Sequence, residues 1–161
     1  MIKLKAKVLL FVCSLVILGA CSSSDSTPTG STTASTMSAK VNGTSWVSTV
    51  TGGTNDGDGG MIITGSYNGV GISLGLTEAR TPGEYKIGTP NVENIASVTE
   101  SASKLWMAGD DFGSGSVTFT KLTSTDAEGT FTVTLVPSPL HPAATGNKVI
   151  TEGKFSVKFT K

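Results

Sequence analysis

Alternation of apolar with small or polar residues is the feature that most constrains the fold of this chain. It is clearest in segment 70–76, where apolar residues occupy the even positions and Gly or Ser the odd ones. The same alternation recurs in segments 117–120, 130–135 and 155–159. A period of two residues places apolar side chains on one face of a β-strand. These segments therefore predict strands with one buried face, and their β-branched and aromatic residues favour the same structure.

Turn residues separate these segments. Asn42-Gly43 predicts a type I′ hairpin turn, because both residues tolerate the positive φ that this turn requires. Segments 55–60, 68–69 and 126–129 predict further turns, and Pro82-Gly83 predicts a type II turn. Many short strands at close spacing, with no helical period after the N-terminal segment, predict an all-β fold. We expect an antiparallel β-sandwich or a partly open meander barrel.

The first 21 residues carry an export signal. Three lysines, Lys3, Lys5 and Lys7, precede the apolar run 8–18, which leads into Gly19-Ala20-Cys21. A basic region, a short apolar region and a small-residue cleavage site indicate a secretory signal peptide. The run is shorter than the ~20 residues that span a bilayer. Because Leu-Gly-Ala-Cys resembles the bacterial lipobox, we predict a cleaved signal peptide over 1–20 and membrane attachment through lipid on Cys21.

Residues 21–37 predict a flexible tether. They are almost wholly Ser, Thr, Gly, Ala and Pro, a composition that buries too little apolar surface to offset the entropy of ordering. Within them, Asp25-Ser26-Thr27 resembles an O-glycosylation acceptor pattern, and an unmodified tether is the alternative. Residues 38–161 then form a single domain, large enough to bury about two-thirds of its unfolded surface in one core. The two cysteines are Cys13 and Cys21, so we expect no disulfide in this domain.

The charge pattern argues against nucleic acid as a partner. Without the three lysines of the signal peptide, the twelve Lys and Arg residues fall to nine, against twelve Asp and Glu residues. The positive charges form no run, and they are not interleaved with aromatic residues as in a nucleic-acid groove. We therefore expect no nucleic-acid partner.

The sequence offers little catalytic chemistry. His141 is the single histidine and lies in the proline-rich segment 137–142, without an evident nucleophile or orienting group. Asp56 and Asp58 predict a turn, because a calcium site gathers six to eight oxygens. Adjacent carboxylates such as Asp110 and Asp111 point to opposite faces of an extended chain, which is unsuitable for a glycosidase pair. We predict no catalytic residue, no metal and no cofactor.

Exposed aromatic side chains are the best candidates for ligand contact, since a flat ring can stack on a sugar. The candidates are Trp106, Trp46 and Tyr85. If Leu105 and Met107 face the core, strand alternation exposes Trp106 on the opposite face. The alternative is that these aromatic residues pack in the core or at its rim, as tryptophans on strands more often do.

The domain resembles small Bacteroidota lipoproteins that share a domain of unknown function. The resemblance runs from about Ser38 to Lys161. Five segments carry it, namely Ala39-Lys40-Val41-Asn42-Gly43-Thr44-Ser45-Trp46, Pro82-Gly83-Glu84-Tyr85, Gly115-Ser116-Val117-Thr118-Phe119-Thr120, Glu128-Gly129-Thr130-Phe131 and Thr151-Glu152-Gly153-Lys154-Phe155-Ser156-Val157. It implies a lipid-anchored envelope protein with an all-β fold, and it transfers no functional residue.

These observations favour a non-enzymatic, lipid-anchored β-domain of the cell envelope, acting as a binding or structural module. A glycan or an envelope protein is the expected partner, and the membrane is reached through Cys21. Ser22 after the cysteine fits an outer-membrane location, on either face of that membrane. One alternative is a calycin-like carrier, with an apolar ligand in a pocket lined by Phe119, Phe131, Phe155 and Phe159. The other is an envelope hydrolase.

Overall fold

Eleven β-strands make up the part of the chain that the computed structural model describes, residues 34–90 and 92–160. They are β1 (Thr36–Val41), β2 (Thr44–Val47), β3 (Val50–Asn55), β4 (Met61–Tyr67), β5 (Val70–Leu76), β6 (Gly83–Ile87), β7 (Ile95–Ser101), β8 (Lys104–Gly109), β9 (Ser114–Leu122), β10 (Asp126–Pro137) and β11 (Lys148–Thr160). No helix in these two ranges has the length and apolar character needed to cross a membrane. The predicted all-β class is confirmed. The predicted signal peptide, Cys21 and the Asp25-Ser26-Thr27 pattern lie outside the described residues.

The eleven strands belong to one continuous sheet, in the order β2-β1-β11-β3-β4-β5-β7-β8-β10-β9-β6, and β11 also pairs with β10. Two parts of it are called here the six-stranded sheet, with the order β2-β1-β11-β10-β9-β6, and the five-stranded sheet, with the order β3-β4-β5-β7-β8. The end of β10 leaves the first sheet to pair with β8, and the end of β11 pairs in parallel with β3. The other pairings are antiparallel. The pairings therefore close a ring through β11, β3, β4, β5, β7, β8 and β10.

The core lies between the sheets and follows the alternation in the sequence. Inward residues of β5 and β10, such as Ile72, Leu74, Phe131 and Leu135, are almost wholly buried. Ring packing links the strands of the six-stranded sheet, since Phe155 lies 5.5 Å from Phe119 and 6.3 Å from Phe131 between ring centroids. The strongest sequence signal thus identifies the inner faces correctly.

The first strand begins earlier than predicted. β1 starts at Thr36, two residues before the expected domain boundary at Ser38. Met37 is 1% exposed, and its sulfur would lie 2.8 Å from a Cβ added at Gly65 on β4. The sheets approach closely here because Gly65 has no side chain. The predicted tether therefore extends too far, and its last two residues belong to the sheet.

The turns agree with the sequence at some positions and differ at others. Positive φ values at Asn42-Gly43 and Asn68-Gly69 fit the predicted tight turns. Residues 126–129, predicted as a turn, instead begin β10, because Thr123 closes the preceding turn by accepting the Asp126 N–H on its hydroxyl. Gly83 has a φ of 151° and starts β6 opposite Phe119, so Pro82-Gly83 is a bend into a strand and no type II turn.

Candidate functional site

Trp106, the first candidate for ligand contact, is buried, so the predicted exposure is wrong. It pairs with Val98 on β7 and is 4% exposed. Leu105 and Met107 take the outer face of the five-stranded sheet. The segment Leu-Trp-Met-Ala is apolar at every position, so alternation alone does not decide which face turns inward.

The Trp106 indole fixes the loop between β10 and β11. Its Nε1 donates to the carbonyl of Gly146 at 2.8 Å. The Lys148 ammonium lies 4.2 Å from the ring centroid and 2.5 Å from the Glu100 carboxylate. This half-buried cluster holds β7, β8 and the start of β11 together at this end of the domain. Sequence reasoning missed Lys148, although it lies two residues before the apolar Ile150 on β11 and therefore faces inward with it.

The other two aromatic candidates, Trp46 and Tyr85, also pack against the core. Trp46 turns inward from β2 and approaches Gly65 across the sheets, and its Nε1 has no hydrogen-bond partner in the described part of the chain. The Tyr85 ring packs edge-on against Phe119 with centroids 5.7 Å apart. Its hydroxyl donates to the Thr81 carbonyl at 2.7 Å. Both rings are therefore packed against the core, Trp46 within it and Tyr85 at its rim.

His141 has a partner that sequence reasoning did not identify. Its Nδ1 lies 3.2 Å from the hydroxyl of Ser138, and its backbone N–H donates to the Ser138 carbonyl. Ser138 is 4% exposed, so its hydroxyl is withdrawn from solvent. Among the described residues, no carboxylate hydrogen-bonds to the ring. The contact closes a turn in the loop after β10.

The carboxylate candidates occupy turns. Asp56 accepts the N–H groups of Asp58 and Gly60, as expected for a turn. Asp110 has a φ of 43° in the turn between β8 and β9, so the extended geometry assumed for Asp110 and Asp111 is wrong. Nowhere in residues 34–90 and 92–160 do three metal-ligating side chains of His, Cys, Asp or Glu converge.

The phenylalanines expected to line a carrier pocket fill the interior instead. Phe119, Phe131 and Phe155 are buried, with their rings packed against one another. Phe159 is partly buried at the end of β11 and packs against the same core. These four side chains therefore do not line an open pocket, which was the feature that would have favoured the calycin-like alternative.

A shallow groove lies on the outer face of the six-stranded sheet, over β2, β1 and β11. It has a volume of about 220 Å³. Its lining combines two hydroxyls, two ammonium groups, one carboxylate and one exposed valine. The lining residues are Ser38, Ala39, Lys40, Ser45, Trp46, Val47, Glu152 and Lys154. Sequence reasoning did not indicate this groove, because it forms where the β1–β2 hairpin pairs with β11, a strand far away in the chain.

A β-bulge in β11 supplies the carboxylate. The pairing with β1 shifts between Lys40 and Ser38, and the pairing with β10 shifts between Phe131 and Val133. At the bulge Glu152 has a φ of 53°. The Glu152 carboxylate meets the Lys40 ammonium at 2.7 Å on the exposed face. Bulges characteristically re-aim a side chain in this way.

Most outward charges of this sheet are paired. Lys158 contacts Asp126 at 3.1 Å, and the pKa of Asp126 is lowered by the Thr125 hydroxyl and then by Lys158. At the far edge, Lys86 and then Ser116 lower the pKa of the Glu84 carboxyl. Lys154, in contrast, has no ion pair with any described residue.

Comparison with known proteins gives a family and no relative of known activity. A family model described as "Domain of unknown function (DUF6252)" matches residues 33–157. No curated protein and no solved structure matches the chain. The match agrees with the expectation of a domain of unknown function, and it begins just before β1.

Proposed function

The chain belongs to the DUF6252 family, and we propose that it is a glycan-binding module of the cell envelope, anchored to a membrane by lipid on Cys21. The lipobox-like Leu-Gly-Ala-Cys sequence supports the anchor. The outer membrane as its location and the relation to Bacteroidota lipoproteins belong to the same proposal. They rest on the sequence resemblance and on Ser22.

The outer face of the six-stranded sheet is the observation that supports glycan binding. One row of outward residues crosses all six strands in the order Glu84, Thr118, Thr130, Lys154, Ser38 and Val47. At a strand spacing of ~4.8 Å, this row is about 24 Å wide. It offers hydroxyl and charged groups that can bond to sugar hydroxyls.

The composition of this row favours a glycan over a protein partner. The core of a protein interface is enriched in aromatic and apolar residues and depleted of charged ones. Here Val47 is the single apolar member, at the edge of the row. A module that holds envelope proteins together would need more apolar surface on this face.

The anchor is tested by Cys21→Ser in cells that process lipoproteins. We expect an unprocessed precursor that no longer fractionates with membranes as the wild-type protein does, because the thiol that receives the lipid is absent. Cys13→Ser, within the predicted signal peptide, is the matched control and should mature normally. A Cys21→Ser protein that matures and pellets with membranes contradicts the anchor.

Glycan binding is tested with the full chain, held in detergent, on an array of neutral and acidic glycans. Thr130→Arg places a bulky side chain in the centre of the row and should abolish binding. Ser73→Arg makes the same change in the middle of the other outer face and should leave binding intact. An array without any bound glycan, or equal effects of the two variants, contradicts the proposal.

A further inference from the structure

The groove over β2, β1 and β11 has the chemistry of a site for a charged sugar. Resting on the proposed glycan-binding function, we infer that it binds a carboxylate-bearing sugar residue of a glycan. In this site the Lys154 ammonium binds the carboxylate, and Glu152 accepts hydrogen bonds from sugar hydroxyls.

Backbone strain at Glu152 supports a ligand site at this position. The described non-glycine residues with positive φ are Asn42, Asn68, Asp110 and Glu152. Asn and Asp tolerate the left-handed region, whereas a longer side chain such as Glu gains nothing there to offset its cost. Strained residues cluster where a side chain must be aimed at a ligand. Glycine would remove the strain, but it would also remove the carboxylate from the groove.

The distribution of charge in the groove favours an anionic ligand. Glu152 holds the Lys40 ammonium at 2.7 Å, which fixes the position of both groups on one side of the groove. Lys154, on the same strand, is exposed and has no ion pair within the described ranges. The groove therefore has one cation available to an anionic ligand, and charge-assisted hydrogen bonds to carboxylates are the strong ones.

The size and lining of the groove suit the ring and the hydroxyl groups of a single sugar residue. Its volume of about 220 Å³ is below the ~300 Å³ at which pockets for drug-sized ligands begin, so it accommodates a single sugar ring. Val47, 61% exposed, offers an apolar contact for the C–H groups of that ring. The Ser38 and Ser45 hydroxyls can donate to and accept from sugar hydroxyls. The remainder of a glycan would lie along the row of Thr130 and Thr118.

The test is a chemical-shift titration of the full chain in detergent with D-glucuronate, D-glucose and acetate. We expect glucuronate to bind at least tenfold more tightly than either other probe, because it alone offers a carboxylate and hydroxyls together. Lys154→Gln and Glu152→Gln should each weaken glucuronate binding at least tenfold. Lys158→Gln, an outward lysine on the same strand but outside the groove, is the matched control and should change the affinity less than twofold.

Several results would each overturn this inference. They are equal binding of acetate and glucuronate, equal binding of glucose and glucuronate, and equal losses in Lys154→Gln and Lys158→Gln. Glucuronate that binds without shifting the backbone resonances of Ser38, Ser45 and Glu152 would also overturn it. The glycan array distinguishes this inference from the proposed function. If any of these results occurs while the array still shows glycan binding that Thr130→Arg abolishes, the carboxylate site is wrong and the proposed function still stands.

Discussion

At Glu152 the backbone conformation favours glycine, whereas the ion pair with Lys40 requires a carboxylate side chain. The left-handed conformation costs roughly 1–2 kcal/mol for a residue with a Cβ. The ion pair with Lys40 is solvent-exposed, and such pairs stabilise by ~0–1 kcal/mol. The neighbouring position 153 requires glycine, because a Cβ added to Gly153 would lie 2.5 Å from the Phe131 carbonyl oxygen. Stability alone therefore favours glycine at position 152.

Glu152→Gly should raise the free energy of unfolding by up to about 1 kcal/mol, since relief of the left-handed strain exceeds the loss of the exposed ion pair. Glu152→Ala is the control, because it keeps the strain and loses the pair. It should leave stability unchanged or slightly lower. Urea unfolding followed by circular dichroism measures both variants. A glycine variant no more stable than the alanine variant would show that the bulge is unstrained.

At the scale of strands, β4 illustrates how one position sets the distance between the sheets. A Cβ at Gly65 would approach the Met37 sulfur at 2.8 Å and the Trp46 ring at 2.9 Å. Gly71, on the adjacent β5, faces outward, and a Cβ there would meet nothing within 4 Å. The two glycines therefore have different reasons to be present, although both lie within strands.

Gly65→Ala should destabilise the domain by about 1–3 kcal/mol, the usual cost of inserting atoms into a packed core. Gly71→Ala should be neutral or stabilise by up to ~1 kcal/mol, because glycine within a strand is entropically costly. Thermal unfolding of both variants distinguishes them. Similar midpoints would mean that the sheets can separate at Gly65 without loss of packing.

The sequence predicted those strands in which one face is clearly polar. Segments 70–76 and 130–135 alternate strictly, so their buried faces follow from the residues alone. Strand β8 is apolar on both faces, and its orientation depends on pairing with β7, which is why Trp106 was misplaced. The groove depends on a bulge in β11 and on the register between β11 and the distant β1–β2 hairpin, and neither leaves a local signal in the sequence. The turn before β10 was misplaced because a threonine side chain closes it in place of glycine.

At the scale of the molecule, the sheet depends on strands at both ends of the domain. β11 pairs with β1, β10 and β3, so the last strand joins three parts of the chain. Such long-range contacts slow folding, because loops must close before the contacts form. The first residues of β1 complete one side of this arrangement, with Met37 in the core.

A chain that starts at Ala34 should fold into a β-rich monomer with a cooperative melt, whereas a chain that starts at Ser38 should be less stable by about 2–5 kcal/mol, the usual cost of deleting a buried methionine side chain. Far-UV circular dichroism and thermal unfolding measure both. Met37→Ala in the longer chain should reproduce most of the loss. Equal stability of the two chains would contradict the assignment of Met37 to the core.

The pairing of β1 with β11 brings the two ends of the described domain together. Thr36 lies opposite Ser156, and the Ser35 hydroxyl accepts the backbone N–H of Lys158 at 3.1 Å. A short glycine-rich linker could therefore join these ends, and new termini could be opened at the Asn68-Gly69 turn. Circular permutants with adjacent native ends usually fold. Asn42-Gly43, which joins β1 to β2, lies at the opposite end of β1 from Thr36, so in the proposed lipid-anchored protein this hairpin turn is at the end of the strand farther along the chain from Cys21.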